Sequence, residues 1–511
     1  MFKRNKPKRY SLLALMLTML VGCFTACSDG DDNGGSDGYN PSKSVVITDF
    51  IPKKGGVGQK LVVYGNNFGN DTSLVKVKIG GKPATLINVN NEGLYCFVPQ
   101  GAYKGNIEVT VGDEQQGNQQ TATAADNFEY ERKMVVGTLC GYRNERDDQG
   151  WRDGSFETVA GFRNDGVLRY DPLNHNHLYV CYDGGIGIQL IDLEKKQVTT
   201  PISSGAFPTN RLRSIDFTLD GQYMLVAVDR DREGNRSPSV YIIKRNADGT
   251  FDMNSDRQLL AAYKQCNGAS VHPVNGELYF NSYENGQVFR LDLNKYFETI
   301  KNGGTWNPYV IENKDAIEQL FTIQDNNWEF QIDIHPSGKY AYIVVINKHY
   351  ILRTDYNEKT HKFAAPYIVA GNDNWVDGVG TDARLSRPFQ GVFVKNPTYV
   401  AEGREDVYDF YFADNKSHSV RYLTPDGIVT TYAGRGSSTA AADNNVWGTD
   451  NGDLRQVARF RDPTGLAYDE GTNSFYILDT VGRKIRTISL EADESEQSDD
   501  AANENVEQTT K

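Results

Sequence analysis

Six times between residues 168 and 477 the chain repeats one pattern: an apolar strand, a polar turn and a second apolar strand. The copies are Leu168–Tyr179, Ser214–Val226, Ser270–Phe280, Gln331–Val344, Gly391–Phe412 and Gly465–Ile477, and their turns align. These read Asp171-Pro172, Leu219-Asp220-Gly221, His272-Pro273, His335-Pro336-Ser337-Gly338, Asn396-Pro397 and Asp469-Glu470-Gly471. Most copies are followed by a third apolar run, as in Val288-Phe289-Arg290, Val420-Arg421 and Ile485-Arg486. Fourth runs are expected at Gln197–Pro201, Leu259–Lys264, Pro308–Glu312, Pro366–Ala370 and Val429–Ala433. The sixth copy has no such successor. Met134–Thr138, ahead of the first copy, has the matching character. A ring in which this N-terminal strand completes the last unit leaves no sheet edge open. The repeat therefore predicts a six-bladed β-propeller over 134–490, closed by an N-terminal outer strand.

Residues 44–133 carry a second all-β pattern, with strands expected at Ser44–Asp49, Lys60–Tyr64, Leu74–Ile79, Lys82–Val89, Leu94–Val98 and Gly105–Val111. The motifs Gly65-Asn66-Asn67-Phe68-Gly69, Gly81…Ala84, Val98-Pro99…Gly101…Gly105 and Phe128…Tyr130 resemble the IPT/TIG immunoglobulin-like family. That resemblance implies a β-sandwich acting as a spacer or interaction module. Downstream, Val369-Ala370-Gly371, Trp375-Val376-Asp377-Gly378, Ala413-Asp414-Asn415, Pro463-Thr464-Gly465 and Asp479…Ile485-Arg486 resemble the NHL repeat. The combination resembles surface lipoproteins of glycan-uptake systems.

The ends of the chain point to export. Lys3, Arg4, Lys6, Lys8 and Arg9 precede an apolar run, Ser11–Val21, too short to span a bilayer, as in a secretory signal. Cys27, followed by Ser28-Asp29-Gly30-Asp31-Asp32, is the expected lipidation site, with Cys23 after Leu20-Val21-Gly22 as the alternative. Residues 28–43 read as a tether and 491–511 as an acidic disordered tail. Localisation at the outer membrane, on the cell surface and by lipid anchor only, is the expectation. The net charge of −13 disfavours nucleic acid as a partner. Cys96, Cys140, Cys181 and Cys266 have no metal-ligand spacing and read as buried thiols.

Ligand chemistry is expected on the face that carries the connectors between units. Trp151, Trp328, Trp375 and Trp447 fall in these connectors, and a flat indole suits stacking on the apolar face of a sugar ring. Trp151 and Trp375 each stand two residues before Asp-Gly, where an aromatic also packs between blades. Arg163, Arg213, Asn267, Glu329, Arg387 and Arg461 sit at the starts of inner strands, where they rim the channel or pair with acids between blades. Asp229-Arg230-Asp231 and Asp443…Asp450…Asp453 read as solvated loops rather than calcium sites. His272 and His335 occupy turns on the opposite face. No nucleophile motif, metal set or cofactor is indicated. The sequence thus predicts a glycan-binding lipoprotein, with an outer-membrane transporter complex as a partner. A protein-binding scaffold is the alternative, and an NHL-type lyase or hydrolase a third reading.

Overall fold

In a computed structural model, residues 38–141, 150–282, 286–323, 329–436 and 446–492 are described. The signal, Cys23, Cys27, Trp328, Asp443 and the tail beyond Ala492 lie outside them.

The first body is a sandwich of two antiparallel sheets. One runs in the order Val46–Ile51, Lys60–Asn66, Gly93–Phe97, Thr85–Asn90; the other in the order Lys82–Pro83, Val75–Ile79, Ile107–Val111, Gln120–Thr123. Period-2 alternation turns Leu61, Val63, Val77, Ile79, Leu94 and Cys96 inward, and these are buried. The Asn-Asn corner has a structural task. Asn67 adopts a left-handed φ of 69°, and its amide donates to the carbonyls of Asn40 (2.9 Å) and Lys43 (2.7 Å). The end of the expected tether is thereby held on the sandwich.

The remainder forms six antiparallel sheets among the described residues, the second and third of four strands and the other four of five. The first two strands of each coincide with the six sequence hairpins: Gly166–Asp171 with Asn174–Tyr182, Leu212–Phe217 with Tyr223–Val228, Ala269–Val271 with Leu278–Ser282, Phe330–Ile334 with Tyr340–Val345, Pro388–Lys395 with Tyr408–Asp414, and Pro463–Asp469 with Ser474–Asp479. The first strands touch one another in cyclic order, the sixth meeting the first. Met134–Cys140 pairs antiparallel with Lys484–Leu490 and so joins the last sheet.

Two local expectations are corrected. The outer strand of the third sheet is Ile317–Thr322, not Pro308–Glu312. An amphipathic helix, Leu293–Lys301, intervenes; Asp292 caps its N-terminus by accepting from Asn294 N at 3.0 Å, and Leu293 and Tyr296 face inward. The Asn396-Pro397 turn of the fifth hairpin is a short helix, Pro397–Glu402, with proline in its first turn and Gly403 at φ 67° closing it.

Glu491, expected to open a disordered tail, is instead 2% exposed at the joint between the bodies. Its carboxylate accepts from Tyr130 Oη at 2.5 Å and from Lys133 N at 3.1 Å, while its own N–H donates to Lys133 O at 3.0 Å. A carboxylate that accepts two hydrogen bonds is stable where a lone one would not be. Composition placed this residue in the acidic run; tertiary partners take it out.

Candidate functional site

On one face of the ring, the connectors entering each first strand meet the turns that leave each second strand. Arg213, second residue of its strand, is 5% exposed and pairs with Asp183, with Glu329 at 3.0 Å and with Asp229 at 3.7 Å. Arg211 beside it bonds Asp183 at 2.6 Å and Asp229 at 2.8 Å. Across the mouth, Arg387, held at φ 59°, reaches Asp165 at 2.8 Å and Glu329 at 3.3 Å. Burial alone would raise the Asp183 carboxyl; the hydrogen bond from Arg211 and the charge of Arg213 outweigh it and leave the group below its ordinary range. For Asp229 burial wins over both arginines, and its pKa is raised. The expected solvated loop Asp229-Arg230-Asp231 is thus split, because Asp229 is buried and ion-paired.

Of the residues proposed from sequence, Arg213, Glu329 and Arg387 are brought into one network. Sequence reasoning missed Arg211, Asp165 and Asp183, and read Asp229 as solvated. A signal was present: an aspartate follows or ends the second strand in four repeats, at Asp183, Asp229, Asp414 and Asp479.

Below this network the channel is stoppered. Gln331 Nε2 donates to the carbonyls of Asn267 (3.3 Å) and Arg213 (3.4 Å). Gln390 accepts from Leu168 N at 2.8 Å and Leu466 N at 3.0 Å, and donates to Leu168 O at 2.7 Å. Asn267 is fully buried, with neither polar atom of its side chain hydrogen-bonded among the described residues. A ligand on this face is therefore confined to the mouth.

The tryptophans divide. Trp447 is 48% exposed, and the Arg461 guanidinium lies 4.4 Å from its ring, so these two expected residues form one platform. The platform's connector is clamped from below: fully buried Arg486 donates to Asp450 O at 2.9 Å and Asn451 Oδ1 at 2.8 Å while pairing with Asp479 at 3.3 Å. The preceding sheet repeats the clamp in Arg421, which bonds Asp414, Val376 O and Arg384 O. Trp375 is half-buried and lines a cleft of 260 Å³ with Asp373, Asn374, Ser386 and Lys416. Trp151 packs inward: a Cβ on Gly161 would stand 2.3 Å from its ring, and Tyr182 meets it edge-on at 4.7 Å. Exposed Arg163, 5.7 Å from that indole, belongs to the same packing contact.

The histidines of this face are structural. His349 and His418, at φ 61° and 52°, accept from the backbone N–H of Arg387 (2.9 Å) and Asp462 (3.3 Å) in the next sheet. His272 and His335 lie in the hairpin turns, where His272 bonds Gly338 O at 3.0 Å. The four described cysteines are buried, and burial pushes every thiol up, to about 12 for Cys96 and Cys266. None is a thiolate at neutral pH.

Fold and mouth define an all-β protein with an immunoglobulin-like module ahead of a ring of sheets. Residues 45–130 match the IPT/TIG domain model. No curated protein matches the chain. Among solved structures, a Bacteroides thetaiotaomicron VPI-5482 protein named provisionally as a phosphatase is 58% identical, covering 90% of this chain and 100% of its own, with a TM-score of 0.80. An auxiliary nutrient binding protein of the same strain is 42% identical, covering 89% and 100%, with a TM-score of 0.73. Another, from Bacteroides ovatus ATCC 8483, is 35% identical over the same shares, with a TM-score of 0.60. The chain belongs to the family of these Bacteroides proteins.

Proposed function

We propose that the chain is a nutrient-binding lipoprotein of the outer cell surface whose ligand is a glycan. The signal directs export, lipid on Cys27 anchors the chain, and residues 44–133 raise a six-bladed, NHL-like β-propeller over 134–490 above the membrane. Its connector face captures an oligo- or polysaccharide for a neighbouring outer-membrane transporter. The names of the 42% and 35% identical relatives support a nutrient-binding role.

The observation that carries the reading is the exposed Trp447 ring backed by Arg461. A large indole left in water is costly unless something covers it, and its flat face fits the C–H face of a sugar. Arg211, Arg213 and Arg387 at the mouth are already committed to carboxylates. Neutral hydroxylated ligands suit such a mouth better than anionic ones.

The test is isothermal titration of residues 28–511 against a panel of soluble polysaccharides, with Trp447→Ala as the variant. Loss of a stacking platform should weaken binding about tenfold or more, roughly 1.4 kcal/mol. Undiminished affinity in a folded Trp447→Ala protein would remove the platform from the site. Absence of binding across the panel would overturn the glycan reading itself.

A further inference from the structure

The connector that carries Trp447 continues through Asn451 and Gly452 to Val457, and there it meets the sandwich. Gly58, at φ 72°, allows the approach: a Cβ at that position would stand 3.1 Å from Asp453 Oδ2. Between the two bodies opens a cleft of 580 Å³. The sandwich contributes Lys60, Thr85, Phe97 and Pro99 to its walls, and the connector contributes Gln456 and Val457. These walls offer a ring, an apolar floor, amides, a hydroxyl and one ammonium.

The register of the sandwich sheet shows how the floor is built. Phe97 is directly opposed to Lys60 on one side and to Thr85 on the other, so the three side chains stand abreast on the same face. Two residues along the strand on that face is Tyr95, its ring centroid 5.9 Å from that of Phe97. Beyond it Tyr64 is 43% exposed and lies opposite Gly93, which has no side chain to cover it. Leu61, Val63, Leu94 and Cys96 take the other face into the core. Tyr64, Tyr95 and Phe97 thus form an aromatic strip that leads into the cleft, and the cleft leads to the Trp447 connector.

We infer that the strip and the cleft form a second binding site, for a neutral glycan chain that continues from the Trp447 platform onto the sandwich. This rests on the glycan reading of the platform. Aromatic rings along a strand give successive stacking surfaces, and amides and a hydroxyl at the rim match sugar hydroxyls. The joint fixed by Glu491 keeps the two halves in register. The acidic balance of the chain, −13 overall, opposes a polyanion in the same place.

Residues 28–511 would be titrated with xyloglucan, galactomannan, laminarin and dextran, and with short oligosaccharides of whichever binds. Two folded variants probe opposite walls: Tyr95→Ala/Phe97→Ala on the sandwich, and Val457→Arg, at a position 46% exposed, on the connector. Both should weaken the long chain about tenfold or more and leave the short fragment unchanged, whereas Trp447→Ala should weaken both ligands. Long-chain affinity that survives either wall variant while Trp447→Ala abolishes it would overturn the second site and leave the platform standing. Failure of every probe to bind the parent protein would overturn both. Equal loss of short and long ligands in the wall variants would also overturn it, since the strip would then be part of a single site.

Discussion

Replacing Arg486 by Met tests whether the connector face depends on a buried ion pair. Arg486 and Asp479 are both fully buried, and the guanidinium satisfies Asp479, Arg459 O, Asp450 O, Asn451 Oδ1 and Gly137 O. Methionine fills a similar volume but leaves the Asp479 carboxylate buried with, among the described residues, only the Arg461 N–H, at 2.7 Å, as a partner. Removing one member of a buried pair costs about 3–5 kcal/mol. For a ring of about 350 residues, an unfolding entropy of roughly 0.7 kcal/mol/K converts this to a fall of about 4–7 °C in Tm.

The pH dependence gives the sharper test. Burial, opposed by Arg486, holds Asp479 up at about 6. Without the arginine the carboxyl rises further. A folded state that keeps a proton which the unfolded chain releases above about pH 4 loses stability as pH rises through the folded value. The deficit of Arg486→Met should therefore be largest at pH 8 and shrink at pH 5. Adding Asp479→Asn should recover most of it, because no charge is then left buried. Calorimetry at both pH values measures this, and hydrogen exchange should show amides of the 446–452 connector opening in the single variant. A deficit below about 1 kcal/mol at pH 8, or one indifferent to pH and to the second substitution, would refute the argument.

Glu491→Ala leaves the Tyr130 hydroxyl and Lys133 N–H without their acceptor at the joint, at a cost of about 1–3 kcal/mol. Small-angle scattering should show a looser pair of bodies, and an unchanged profile would contradict the latch. Asp333, buried beside Arg169 and Asp216, is pushed up to about 7 by burial. Parent stability should accordingly decline between about pH 4 and pH 7, and Asp333→Asn should flatten that slope in denaturant titrations. Cys96, Cys140, Cys181 and Cys266 should resist a thiol-titrating reagent in the native protein at pH 8 and all react after unfolding. A fast native reaction at any of them would contradict the burial.

What could be read from the sequence was local in origin. The six hairpins were visible because alternation of period 2 and turn residues such as Leu219-Asp220-Gly221 act over a few positions, and both survive in any packing. The N-terminal strand Met134–Cys140 could be matched to the last unit because an unpaired edge is costly wherever it falls. The Asn-Asn corner and the IPT/TIG motifs lie within one small domain, where sequence neighbours remain spatial neighbours. Trp447 and Arg461 were singled out by residue type and position.

Only the tertiary structure decided which charges are buried. Arg213 and Asp229 share the second sheet, but Asp183, Glu329 and Arg387 come from three others, and their pairing requires the ring to close. Asp229 and Glu491 look like solvated acids in any sequence window, yet Asp229 pairs with Arg211 and Arg213 across its own hairpin and Glu491 with Tyr130 and Lys133 far along the chain, contacts that offset the burial. Leu293–Lys301 forms a helix ahead of the third sheet's outer strand, where an Asp cap and two inward side chains favour a helix once the sheet provides a surface. Local pattern determines where strands and turns form; burial and ion pairing depend on the summed field of distant residues, and so only the folded chain determines them.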